Sequence, residues 1–200
     1  MSVSTKTTEL EALNSILSAA KELPITSLAD TSADAVLAND KLDEANREIQ
    51  SRGWFWNTRI KEYTPAAGVI TIADDILRVD GENYGGLLMQ VTVRGGKLYN
   101  MISGLDNDWG SDTLNLKVVE LLAWADLPEA ARQAILRKAA RIFVEQHVSD
   151  PNLVQIATIN ERLAYALLEK DEIDTSNSRV FGPTFTRIVD APRALDWIRG

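Results

Sequence analysis

The 200-residue chain contains no cysteine, a single histidine and no long apolar run. The first absence excludes disulfides and thiolate zinc sites. With His147 alone, a histidine-based metal centre or a serine triad would rest on one residue. No apolar stretch approaches the roughly 20 residues that cross a bilayer as a helix. The opening MSVSTKTTEL lacks the apolar core of a signal peptide. The expectation is a soluble protein made in the cytoplasm. Catalytic motifs are missing too: there is no G-x-S-x-G, and Gly95-Gly96-Lys97-Leu98 lacks the upstream glycine and the hydroxyl of a phosphate-cradling loop. Positive charge is also scarce. A net charge of −8 argues against gripping nucleic acid by its phosphates, but not against a surface past which DNA slides.

What is present suits a globular chain. Hydrophobic residues make up 45 % and charged ones 25 %, enough for a real core in one domain or in one domain with an insertion. The stretch Ile49-Gln50-Ser51-Arg52-Gly53-Trp54-Phe55-Trp56-Asn57-Thr58-Arg59-Ile60-Lys61 organises the rest. Before Gly53 the apolar residues recur at helical spacing; after it they begin to alternate. Gly53 reads as the left-handed cap of a helix. A strand starting at Trp54 would carry Trp54 and Trp56 on one face. The stretch reads as a joint between a helical layer and a sheet, the functional alternative being an aromatic platform for a sugar or a base.

Thr7 or Thr8 can cap a first helix with Leu10, Leu13, Ile16, Leu17 and Ala20 on one face, stopped by Pro24. A second, capped by Thr31 or Ser32, runs to about Arg52 on the stripe Ala38, Leu42, Ala45 and Ile49. Short strands follow over 54–64, 69–72, 76–79, 87–94, 97–101 and 113–122, with the Gly95-Gly96 hairpin the clearest and Leu114, Leu116 and Val118 on one face of the last. Asp126 is the expected cap of a third helix with Pro128 in its first turn and the stripe Ala131, Ile135, Ala139 and Ile142. Asp150-Pro151 opens a fourth helix through Leu153, Ile156, Ala157, Ile159, Leu163, Ala166 and Leu167. The fold class is therefore α+β: a four-helix, bundle-like body (1–53 with 125–173), a small antiparallel β-domain (54–124) inserted between helices two and three, and an extended C-terminal tail (174–200).

The search for chemistry finds little. His147 reads as a helix-end histidine favoured by the dipole. Asp106 and Asp108 match the first two ligands of a calcium loop, but Gly110, Ser111 and Lys117 occupy the next diagnostic positions, and the fit fails. Glu62, Asp106 and Asp108, with Trp54, Trp56 and Trp109, are the one cluster that a cell-envelope polysaccharide hydrolase or a carbohydrate-binding module could use. No catalytic, cofactor or metal residue is assigned. The basic residues Arg132, Arg137, Lys138 and Arg141 crowd one helix of an acidic protein. They pair along that helix and face solvent, or they meet acidic neighbours such as the second helix of an adjacent copy.

Several stretches, in order, resemble the tail tubular protein A family, the head-to-tail adaptors of short-tailed phages (podophages). They are Glu48-Ile49-Gln50-Ser51-Arg52-Gly53-Trp54 with Asn57-Thr58, Ile76-Leu77-Arg78-Val79-Asp80, Arg94-Gly95-Gly96-Lys97-Leu98-Tyr99, and Asp126-Leu127-Pro128-Glu129-Ala130-Ala131 running into Ala139-Ala140-Arg141-Ile142-Phe143. They span about residues 8–170. The resemblance implies a structural virion protein with no cofactor and no catalysis. It also implies a homo-oligomeric ring, expected to be a homododecamer, under the portal protein. The nozzle (tail tubular protein B) would lie below it, tail fibres near that junction, and DNA would pass through on ejection. The residues expected at subunit or portal contacts are Arg132, Arg137, Lys138, Arg141, Arg179, Phe181, Phe185 and Arg187.

Overall fold

Thr8 sets the first helix, α1 (Glu9–Ala19), through a reciprocal capping box. Its hydroxyl accepts from the Glu11 backbone N–H at 3.2 Å, and the Glu11 carboxylate accepts from the Thr8 N–H at 2.7 Å. The computed structural model describes residues 6–81, 89–148 and 150–180, with side chains as far as residue 175. α1 ends well before Pro24. Glu22 N–H bonds back to Leu17 O and Lys21 N–H to Ser18 O, a Schellman closure with Lys21 left-handed at φ 65°. The connector that follows is pinned by Asn14, whose side chain bonds both the N–H and the C=O of Ile25.

α2 (Ala33–Ser51) buries the expected Ala38, Leu42, Ala45 and Ile49, and ends at Gly53 with φ 81°. A Cβ on Gly53 would lie 2.9 Å from Val119 Cγ2, so close approach as well as φ demands glycine. The strand does not begin at Trp54. Residues 54–57 form a turn in which Trp54 N–H donates to the Asn57 side chain at 2.7 Å and Asn57 N–H to Trp54 O at 3.1 Å. The asparagine amide supplies a turn that the alternation of aromatics conceals. Trp54 and Trp56 therefore stack, with planes 5° apart and centroids 6.4 Å apart, instead of sharing a strand face.

β1 (Thr58–Tyr63), β2 (Ile76–Gly81) and β5 (Leu114–Glu120) make one antiparallel sheet in the order β1-β5-β2. β3 (Val91–Arg94) and β4 (Lys97–Asn100) form the hairpin. Gly95 and Gly96, with φ 57° and 71°, supply the two positive angles its two-residue turn needs. Residues 69–72 are not a strand. Ile72 N–H and Ile70 O reach Gly96 O and Leu98 N–H, while both isoleucines are buried under the hairpin. All five strands lie between α2 and α3 in the chain. The fold is α+β, with four helices and two small antiparallel sheets.

α3 (Glu129–His147) follows a 3-10 turn at Trp124–Asp126, so Asp126 is not its cap; Pro128 occupies that position. α3 packs against each of the other helices. α4 (Pro151–Val180) runs past residue 174, where the tail was expected to begin. Polarity alone does not end a helix, and no glycine or proline occurs between Pro151 and Gly182.

The β-segment is stitched at its base. Gln50, fully buried, donates to Leu122 O at 3.0 Å and accepts from Leu122 N–H at 2.8 Å. Asn57, also buried, donates to Gln50 O at 2.9 Å and Glu120 O at 3.0 Å. Asn57→Ala strands the Trp54 N–H and removes a donor from the Gln50 and Glu120 carbonyls, and is expected to cost about 2–4 kcal/mol, read as a lowered urea midpoint with an unchanged m-value. Lys21→Gly is expected to stabilise by up to about 1 kcal/mol, because it removes the left-handed penalty; thermal melts of the two chains measure it.

Candidate interaction surface

The basic residues of α3 divide by what they touch. Arg132 is only 4 % exposed and donates to the carbonyls of Leu127, Ala125 and Thr7 at 3.1, 2.7 and 2.7 Å. It ties the start of the chain to the α3 entrance, so within one copy its guanidinium is already engaged. Lys138 pairs with Glu48 of its own α2 at 2.6 Å, so the acidic second helix is met within one copy. Arg141 bridges Glu145 and Glu161. Arg137 alone of the four has no carboxylate partner among the described residues. Arg179 falls on the last turn of α4, beyond the described side chains, and Phe181, Phe185 and Arg187 lie outside the described residues.

Arg137 projects into a trough between α4 and the α1–α3 pair. Two adjoining hollows of about 520 and 370 Å³ share Arg137 and Asn160. The two carboxylates lining them are already engaged: Glu11 by Thr8, and Glu129 by Thr7 and Gln133. Along the α4 wall Ile156, Leu163 and Leu167 are 55, 61 and 64 % exposed. The sequence reading runs the helix through these three together with Ala157 and Ala166. The structure turns the three large residues outward and buries Ala157, Ala164 and Leu168, backed by Val154 and Tyr165. Small residues let α4 approach α3 closely and turn the larger ones outward. Two apolar stripes on one helix were the available signal, since a helix with a single partner needs one.

The aromatic and acidic cluster does not assemble. Trp54 is 3 % exposed in the helical core, its Nε1 donating to Ile49 O at 2.7 Å, and Trp56 packs against the same core. Trp109 belongs to the β cluster and donates to Leu98 O. Asp106 pairs with Lys97 at 3.3 Å, and Asp108 accepts from Asn100 at 3.2 Å. Among the described residues the indoles of Trp54 and Trp56 are therefore taken up by the core and Asp106 and Asp108 by neighbours, while Glu62 is exposed on β1. His147 ends α3, stacked on Phe143, with Nε2 3.4 Å from Glu22 and 3.5 Å from Asp34. These separations exceed a hydrogen bond.

Glu129 links α3 to the residues before α1. Burial opposes its charge, but hydrogen bonds from Gln133 and from the Thr7 hydroxyl and N–H, with Arg132 nearby, together hold its carboxyl below the usual range. A carboxyl with a depressed folded pKa adds stability above its unfolded value, about 4.3, and that stability is lost as pH falls through the folded value. Glu129→Gln is therefore expected to melt below the native chain at neutral pH, with the gap closing as melts are taken from about pH 5 down to pH 3.

The chain was also compared with known proteins. The family model described as tail tubular protein matches residues 10–178, which takes in both described sheets and, but for residues at the two outer ends, the four described helices. Tail tubular protein A of Klebsiella phage KP34 is 28 % identical over 168 residues, covering 81 % of this chain and 86 % of that protein. No helix among the described residues is long and apolar enough to cross a membrane. The chain carries an apolar trough beside α4, and it belongs to the tail tubular protein family, as a structural protein of the phage tail.

Proposed function

We propose that this protein is the head-to-tail adaptor of a short-tailed phage. Copies form a ring, expected to be a homododecamer, that binds the portal protein above and the nozzle, tail tubular protein B, below. Tail fibres attach near the adaptor–nozzle junction, and the genome passes through the ring on ejection. The observation that carries this reading is tail tubular membership across residues 10–178. Two features of the molecule support it. Large apolar residues line an outward face of α4, as a subunit that completes itself in an assembly requires. The chain is also acidic, at −8 per copy, and a ring of such subunits repels DNA phosphates weakly over about one Debye length, roughly 8–10 Å, and does not bind them.

The helical body (1–53 with 125–173) is the portal-side and inter-subunit part of this reading, with Arg137 the one of the four basic α3 residues that has no carboxylate partner among the described residues. The inserted β-domain (54–124) lies at the tail-side edge toward nozzle and fibres. Residues 174–200, with Arg179, Phe181, Phe185 and Arg187, supply further subunit or portal contacts. Electron microscopy of the protein mixed with its phage's portal ring tests the proposal. Added ring density beneath the portal is expected, with a copy number readable from its symmetry. An intact portal that gains no density, with DNA-packaged heads also tried, would refute it.

A further inference from the structure

We infer that the trough beside α4 is the socket for the α1–α2 connector of a second copy of this chain. The inference rests on the ring reading and names the two surfaces that make the ring.

On the socket side, Ile156, Asn160, Leu163 and Leu167 follow one another at spacings of four, three and four, so they form a single seam. Three of them are large, apolar and more than half exposed, while the opposite side of α4 is occupied by α3. Arg137, half-buried beside that seam, has neither a carboxylate nor a hydrogen-bond acceptor among the described residues. The carboxylates that share its trough are held by Thr7, Thr8 and Gln133. The site therefore asks for a partner with apolar side chains and a carboxylate.

The connector has both. Leu23 is 85 % and Leu28 53 % exposed, and between them Ile25 is buried. The clamp of Asn14 on both backbone groups of Ile25 fixes the loop, and Ser27 and Asp30 each accept a backbone N–H two residues on. A loop held this way presents its two leucines to water at little further entropic cost on docking. Asp30 is exposed, and hydrogen bonds from the Ser32 hydroxyl and from the Ser32 N–H to Oδ1 hold its carboxyl below the usual range. An exposed carboxylate accepts further donors, here the Arg137 guanidinium of the neighbouring copy. Knob and socket occupy different places on one molecule. Each copy thus gives one and receives one, the heterologous geometry that closes into a ring. A contact of α4 with α4 would instead be isologous and stop at two copies.

The native chain has no cysteine, so engineered thiols report without background. Phage tails assembled from the full chain carrying both Leu28→Cys and Leu163→Cys are treated with a short bismaleimide and run on a denaturing gel. The expected result is a ladder at whole multiples of the chain mass, because every copy can join two neighbours. Either single variant should stay at one chain mass. A monomer band from particles whose ring is visible by electron microscopy overturns the socket and leaves the ring reading standing. Particles without any ring of this protein overturn both. Dimers from Leu163→Cys alone assign α4 to an isologous contact. A link within one copy, or to another virion protein, assigns the trough a different occupant, and each of these outcomes also overturns the inference. Where the first pair blocks assembly, Leu23→Cys with Leu167→Cys gives the same readout.

Discussion

Two buried amides at the foot of the β-segment hold this structure together. The chain leaves α2 at Gly53, enters the sheet at Thr58, and returns at Glu120–Leu122 to the same point. Gln50 pairs with both backbone groups of Leu122, and Asn57 spans the carbonyls of Gln50 and Glu120. Entry and exit are thereby bonded to each other and to the end of a helix. The Gln50 and Asn57 amides are buried, so neither can give up its partners cheaply. A Cβ on Gly53 would meet Val119 of the returning strand, so helix end and strand approach more closely than any side chain permits. Trp54 extends the joint into the helical core, with Arg52 stacked 5.4 Å from its ring.

Much of this was legible in the sequence where one residue has one job. The Thr8 cap, the Gly53 stop, the Gly95-Gly96 turn and the Leu114, Leu116 and Val118 face each follow from a local rule. The failures have a common cause: one signal with two physical meanings. Alternating aromatics at 54–56 suggested a strand, but Asn57 closes a turn by side-chain bonding, which spacing does not reveal. Apolar residues on α4 were correctly placed on a helix, yet their periodicity serves two stripes, and only packing decides which one faces α3. The polar run after Asp171 suggested a tail, although nothing in it breaks a helix.

Charge was the hardest to read. Four basic residues on one helix of an acidic chain look like a docking face, and three of them are consumed internally. Arg132 satisfies carbonyls at the α3 entrance, a role that only tertiary structure creates. Lys138 and Arg141 pair across helix boundaries with Glu48 and Glu161. Both lie partly exposed, and pairs of this kind contribute little each, about 0–1 kcal/mol. Their larger effect is to leave a net face without free cations, so that Arg137 remains as a single positive point in the trough.

That division separates folding from assembly. The face of α4 packed on the helical core carries Ala157, Ala164 and Leu168 with Leu153, Val154 and Tyr165, while Ile156, Leu163 and Leu167 stay more than half exposed. The core of the copy is closed without them. Their exposure is a cost carried by the free subunit, one that burial against another surface relieves by about 1.5–3 kcal/mol for each side chain fully covered. Three such residues can favour association without being required for the fold, so the subunit can fold alone and assemble later. In that order of events a single free cation is useful: it adds little affinity on its own, but it rejects partners that lack a carboxylate and fixes the register of those that have one.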